Sequence, residues 1–311
     1  MPAETGPLMT LLWIAVALVG SGAVAWVFRT AVVAVAPHGT ARVLRTAPLT
    51  ASFGMLVILV YVLLAIFAPV LAPFGEREVV GGQFLPWDAT HILGTDNLGR
   101  DMYSRLLYGA RNTVGIAFLT TALAFVVGSV LGLLAAAVGG WLDQVLSRVV
   151  DVLMAIPALI FALLLLTILG TSILNMVLVM ALIDSTRVFR LARAVAMNIV
   201  VMDYIEAARL RGERLPRLIL REVLPNAAAP LVAEFGLRFC FVFLTISALS
   251  FLGLGIQPPT ADWGSMVRDN ATLITFGDIT PLLPAGAIAV LTVAVNFVVD
   301  WMLHRASGLK E

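Results

Sequence analysis

Between Asp203 and Asn226 the chain reads DYIEAARLRGERLPRLILREVLPN, with Arg209, Arg211, Arg214, Arg217 and Arg221 set between long apolar segments. These residue types suit a gripped surface better than bond-making chemistry. Glu206 offers a carboxylate to a basic partner, Ala207 and Ala208 permit close backbone approach, and Gly212 permits a sharp turn. The pattern predicts a short helix over 204–210 with Asp203 as its N-cap. Gly212 ends it in the left-handed conformation. Pro216 fits the first turn of a second helix, where its missing N–H is no loss. Leu215, Leu218, Ile219 and Val223 then form an apolar stripe at helical spacing. Pro225 is expected to break the chain before the next apolar segment. The product is a polar helix–turn–helix at a membrane face.

A second kind of chemistry resides in the ionisable groups of the apolar segments. Asp184 and Asp300 are candidates for a proton relay, because intramembrane carboxylates are functional candidates by default. Asp184 stands three residues before Arg187, near the expected end of its segment, so a paired surface carboxylate is the simpler reading. Glu234 and Arg238 are four apart, a spacing that forms a helical ion pair. Other chemistries lack their residues. Lys310 is the sole lysine and stands outside any G-x-x-x-x-G-K-[ST] loop, so ATP, if it drives this protein, is bound elsewhere. Cys240 is the sole cysteine, which excludes an intrachain disulfide and a cysteine-rich metal site. The three histidines are scattered and no H-E-x-x-H occurs, so a membrane enzyme has little support.

The elements that carry these groups are membrane spans. Of 311 residues 60% are hydrophobic and 13% charged, and the mean hydropathy is +1.00. Those values describe an all-α polytopic membrane protein. The net charge of +1 suggests no nucleic-acid partner. Seven spans are expected, over 8–28, 50–71, 112–138, 152–169, 173–188, 227–256 and 281–303. The first has no preceding basic residue and is followed by Arg29, Arg42 and Arg45, so it reads as uncleaved, with its N-terminus outside; a helix lying along the interface is the alternative. Residues 37–48 and 139–151 are expected as cytoplasmic links, and Gly170-Thr171-Ser172 as an outer turn. Gly128 and Gly132 form a small-xxx-small pair suited to close helix packing. On this layout five basic residues lie outside, Arg238 lies within a span, and 14 lie inside. The C-terminus is then cytoplasmic, as is the Glu206 loop.

Glu206-Ala207-Ala208 followed by Gly212 and by Val223-Leu224-Pro225-Asn226 resembles the EAA loop of bacterial ABC importer permeases. HILGTDNLGRDMYSRLLYGAR, 91–111, and LSFLGLGIQPPTADWGSM, 249–266, are similar to segments of the dipeptide/oligopeptide/nickel-type "C" permeases. The resemblance covers roughly 50–301. It implies the type I ABC importer membrane fold of six core helices, with the 8–28 helix additional. In that family the EAA loop forms the coupling helix, so Glu206, Ala207, Ala208, Arg209, Gly212, Leu224 and Pro225 become candidate ATPase-coupling residues. Gly94, Thr95, Asp96, Gly99, Arg100 and Asp101 carry the extracytoplasmic motif, whose contact (gate, binding protein or sister subunit) stays open. Leu98, Met102, Leu106 and Leu107 are expected on a surface helix there, and Trp263 in the interfacial zone.

The implied partners are a homologous "B" permease, two cytoplasmic ATPase subunits that bind ATP and Mg, an extracytoplasmic solute-binding protein, and membrane lipid. The implied location is the bacterial inner membrane, and the implied cargo is a peptide or similar small solute. No cofactor, catalytic or metal-ligating residue is expected in this chain. The domain reading is 1–49 as the extra helix and link, 50–111 as the first core helix and extracytoplasmic segment, 112–304 as the permease domain with its coupling loop at 202–226, and 305–311 as a tail. The rival reading is a secondary, ion-coupled transporter using Asp184 and Asp300.

Overall fold

The apolar runs become helices in the structure, a computed structural model that describes residues 7–307. In chain order these are α1 (Pro7–Val35), α2 (His38–Arg45), α3 (Leu49–Leu71), α4 (Met102–Gly109), α5 (Gly115–Val138), α6 (Gly140–Met154) and α7 (Ala158–Leu169). They continue with α8 (Ile173–Ile199), α9 (Asp203–Leu210), α10 (Leu215–Arg217), α11 (Leu224–Phe251), α12 (Trp263–Asn270) and α13 (Leu282–Ser307). Two isolated antiparallel bridges, Val79 with Arg100 and Thr95 with Asp101, are the extended pairings among the described residues.

Four helices among the described residues are long and apolar enough to cross a bilayer: Leu49–Leu71, Met102–Val138, Leu215–Phe251 and Leu282–Arg305. The spans expected over 112–138 and 152–169 are longer or broken in ways the sequence did not indicate. The span expected over 112–138 begins ten residues earlier, because α4 runs through a π-helical turn (Ala110–Val114) into α5. The expected surface helix is thus the buried start of a span, and Met102 and Leu107 face the interior. The link expected over 139–151 is α6, which meets α7 at a bend of 87°. α7 has 12 residues, about 18 Å at 1.5 Å per residue, too short to cross alone.

α8 reaches Ile199 rather than ending near 188, so Asp184 sits in mid-helix. The arginines read as an end signal ride on a helix that continues past them. The predicted 227–256 span is α11, Leu224–Phe251, and it is continuous with α10 through a second π turn (Leu218–Val223). Pro225 therefore does not break the chain. It follows directly on the π turn, where widened hydrogen bonding relieves the clash of a proline ring with the preceding turn. The 37–48 link holds α2, a short helix with Ala41 buried.

The described chain divides into two compact units, one made of residues up to Tyr61 with those from Val290 on, the other of Val62–Ala289. In the first, α3 packs tightly on α13: a Cβ at Gly54 would lie 2.3 Å from the Ala294 carbonyl oxygen. Arg29 Nη1 donates 3.0 Å to the Ala47 carbonyl, tying α1 to the turn before α3. In the second, the Gly128/Gly132 pair of α5 lies against α8. A Cβ at either would come 2.5 Å from Ser185 O or 2.6 Å from Phe189 O, so only glycine permits this approach.

Candidate functional site

α9 is fixed by one face and offers the other. Ile205 and Ala208 are fully buried in a cluster with Leu133, Ala196, Leu218 and Val223. The predicted stripe is present: Leu218 and Val223 are buried, with Leu215 and Ile219 partly so. Asp203, Glu206, Ala207 and Leu210, at i, i+3, i+4 and i+7, form the opposite face, and all four are exposed. The two alanines thus divide, Ala208 packing against its own chain and Ala207 facing out. Leu210 is 83% exposed, an apolar side chain with no fold role on this face.

The termination of α9 is a Schellman motif. Gly212 N donates 2.9 Å to Arg209 O and Glu213 N donates 3.2 Å to Ala208 O, with Gly212 at φ +77°. The N-terminus differs from expectation. Asp203 is the first helical residue, and the N-cap is Met202, without a side-chain cap bond. Arg209 Nη2 donates 3.1 Å to Ala137 O, capping the last turn of α5 and joining α9 to it. Leu224 is partly buried and Pro225 exposed at the start of α11.

The motif at 94–101 builds a buried charge knot. Asp96 Oδ1 accepts from Leu98 N at 2.8 Å and Arg100 N at 2.9 Å. Its Oδ2 accepts from Arg100 Nε at 2.7 Å and lies 3.2 Å from Arg105 Nε. Asp101 caps α4, accepting from Ser104 N at 2.8 Å, and its other oxygen lies 3.2 Å from His91 Nδ1. Thr95 Oγ1 donates 2.7 Å to Gly82 O and accepts from Leu85 N. Gly94 and Gly99 have φ of +71° and +74° and lie against the Leu85 and Gly81 carbonyls, so neither site admits a side chain. These six residues hold the segment together, and all are buried.

The two stretches with the strongest sequence resemblance meet in space. Trp263 is buried within the protein: its ring covers Gly109, and Nε1 donates 2.9 Å to Leu106 O. Thr113 Oγ1 donates 2.9 Å to Asp262 Oδ1 and accepts from Trp263 N at 3.1 Å. Asn112 Nδ2 donates to Ala261 O at 2.9 Å and to Glu76 Oε2 at 3.1 Å. Asn112 and Thr113 lie in the first π turn, which rotates them toward this joint. Asp262 caps α12 through Ser265 N at 2.8 Å. Burial pushes its carboxyl above the usual range, and the bonds from Ser265 and Thr113 oppose that shift.

A third group lies inside the helices. Arg238 Nε is 2.6 Å from Glu234 Oε1, the predicted i, i+4 pair. Arg238 also approaches Asp184 at 3.8 Å, and Arg187 approaches it at 3.7 Å. Arg238 stands over the Phe241 ring, 4.8 Å from its centroid. Asp184 is therefore buried between two arginines. Asp300 is exposed on α13. Sequence reasoning missed the link from Arg238 to Asp184, which joins residues 54 apart. It also missed Leu210, although the i, i+3, i+4, i+7 series through Glu206 marks it.

The sequence profile of the family described as "Binding-protein-dependent transport system inner membrane component" matches residues 128–307. A "Dipeptide transport system permease protein DppC" of Alkalihalophilus pseudofirmus is 34% identical over 248 residues, 79% of this chain and 82% of that protein. A "Di/tripeptide transport system permease protein DppC" of Pseudomonas aeruginosa is 36% identical over 259 residues, covering 79% and 84%. A "Peptide transport system permease protein SapC" of Escherichia coli is 37% identical over 244 residues, covering 76% and 82%.

Proposed function

Because this chain belongs to the family of binding-protein-dependent transport system inner membrane components, a multi-pass permease of an ABC importer, we propose that its cargo is a di- or oligopeptide. It forms the path with a homologous permease. Two separate ATPase subunits supply the energy, and a solute-binding protein delivers the peptide at the face bearing the 94–101 knot. The relatives' names support the peptide class. The lone lysine, Lys310, stands outside any G-x-x-x-x-G-K-[ST] loop, which supports assigning ATP and Mg to partner subunits. The charge count supports an outer N-terminus and a cytoplasmic α9.

The observation that carries the reading is the two-sidedness of α9. One face is locked into the interhelical core by Ile205 and Ala208. The other presents Glu206, Ala207 and Leu210 to a partner. A push on the outer face is thereby passed to α5, α8 and α11, because their side chains share the same cluster. Arg209 adds a direct hydrogen bond to α5. ATP closing the ATPase pair would move α9 and open the permease pair outward to receive the peptide.

Peptide uptake into vesicles holding this chain and its partners tests the reading. Uptake should need ATP and the ATPase subunits, stop with vanadate, and continue with an uncoupler. Uptake that runs without the ATPase and collapses with the uncoupler would establish the ion-coupled alternative. Asp184 gives that alternative little support, since two arginines already face it.

A further inference from the structure

α6 has a face that the fold leaves empty. Val150 packs inward with Ala135 and Phe189, while Trp141, Val145, Val149 and Val152 are exposed, Trp141 at 74%. Their spacing of four, four and three places them in one stripe along the helix. Arg148 lies beside that stripe and is also exposed. α6 meets α7 at a bend of 87°, so the two do not continue as one straight span.

Its depth follows from its contacts with α8. Asp143 pairs with Arg193, whose Nη2 donates 2.6 Å to it, and Arg190 Nη1 lies 3.8 Å from Met154 Sδ. From Ile173, the start of α8, to Arg190 is about 26 Å at 1.5 Å per residue. The hydrocarbon of a bilayer is about 30 Å thick. α6 is thereby tied to the arginine-bearing end of α8, the end that the charge count assigns to the cytoplasmic face. A tryptophan and an arginine flanking an apolar stripe are the residues suited to the zone where hydrocarbon gives way to headgroups.

Beside the stripe are two adjoining clefts, about 330 and 670 Å³, which share Ser147, Asp151 and Arg193. Arg190 lines one and Arg148 the other. Arg193 and Asp143 neutralise each other. Neither Arg148 nor Arg190 pairs with a carboxylate among the described residues, which leaves two cations against Asp151. We propose that α6 is a lipid-seated helix and that Arg148 and Arg190 bind the phosphate of an anionic phospholipid, whose acyl chains cover the Trp141–Val152 stripe. This rests on the permease reading for its membrane setting.

The test uses the full chain in its assembled complex, reconstituted in phosphatidylcholine with small amounts of brominated phosphatidylglycerol or brominated phosphatidylcholine. The fluorescence difference between wild type and Trp141→Phe isolates the Trp141 signal. Brominated phosphatidylglycerol should quench it at about a tenfold lower mole fraction than brominated phosphatidylcholine, the preference expected of about 1.4 kcal/mol. Arg148→Gln with Arg190→Gln should bring that ratio to about one, while Arg148→Lys with Arg190→Lys should keep most of it. Equal quenching of wild type by both lipids would overturn the headgroup site. A Trp141 signal that neither lipid quenches would mean that a protein subunit covers the stripe, which also overturns the proposal. ATP-driven uptake by the same preparation keeps the two readings apart. Lost lipid preference with intact uptake rejects the lipid site alone, and absent uptake with intact preference rejects the permease reading alone.

Discussion

The 94–101 knot and α9 are both marked by sequence resemblance, yet they are built in opposite ways. In the knot the charges turn inward: Asp96, Arg100 and Arg105 are buried and bonded to one another and to backbone. In α9 the charges turn outward, and the helix is held by Ile205, Ala208 and one arginine bond. The knot is thus suited to keep a shape. α9 is suited to be gripped and moved. Resemblance to a family marks a stretch, and burial tells which of these two jobs its residues do.

The sharpest way to break the contrast is at Asp96. Asp96→Ala leaves Arg100 and Arg105 buried without their carboxylate, and loss of one partner of a buried pair costs about 3–5 kcal/mol. The amount of folded protein, read by size-exclusion chromatography of detergent extracts, should fall severely. Near-normal yield would show that the knot does not hold the segment. Gly212→Val should act differently. A residue with φ of +77° has open space for a Cβ but is strained by about 1–2 kcal/mol when it is not glycine. Folded yield should be close to wild type, whereas ATP-driven uptake should fall by roughly tenfold or more as the end of α9 is misplaced. Normal uptake by this variant would detach the turn from coupling.

Leu210→Ser separates surface from scaffold further. Its side chain packs on nothing essential to the fold, so thermal stability should stay within about 0.5 kcal/mol. Co-purification of the ATPase subunits should weaken, with Glu206→Arg weakening it through charge instead. Unchanged co-purification by both variants would remove this face from the contact. The smallest effect is at Asp262 in the joint beside the knot. Its folded pKa is raised, so its contribution to stability is full below the ordinary carboxylate range and is lost as pH rises through the raised value. The thermal midpoint of wild type relative to Asp262→Asn should therefore fall as pH rises from about 4 toward 7. A difference that grows with pH would contradict burial as the dominant influence on this carboxyl.

Much of α9 was legible in the chain. Gly212 as a left-handed stop, Pro216 in a first turn and the Leu218–Val223 stripe all follow from local backbone chemistry, and each is present. Asp203 as a cap failed because a capping residue is chosen by the path of the preceding chain, here the turn after Ile199. Pro225 as a break failed because the sequence does not reveal a π turn, which depends on neighbouring helices for its stability. Trp263 was assigned to an interface by residue type alone. Its place under Gly109 depends on a contact across more than 150 residues of chain.

What the sequence by itself determined is the helical, apolar character of the chain, the place of spans such as 50–71, the position of its one lysine outside any phosphate-binding loop, and the close-packing role of Gly128 and Gly132. These are properties of composition and of short-range periodicity, and they persist whatever the helices pack against. Only the tertiary structure decided that Ala207 faces out while its neighbour Ala208 is buried, that Arg238 reaches Asp184, and that 91–111 and 249–266 close on one another through Leu106, Gly109 and Trp263. A helix turns its successive residues by about 100°, so which neighbour is covered depends on where the next helix lies, and that is fixed by contacts between residues far apart in the chain.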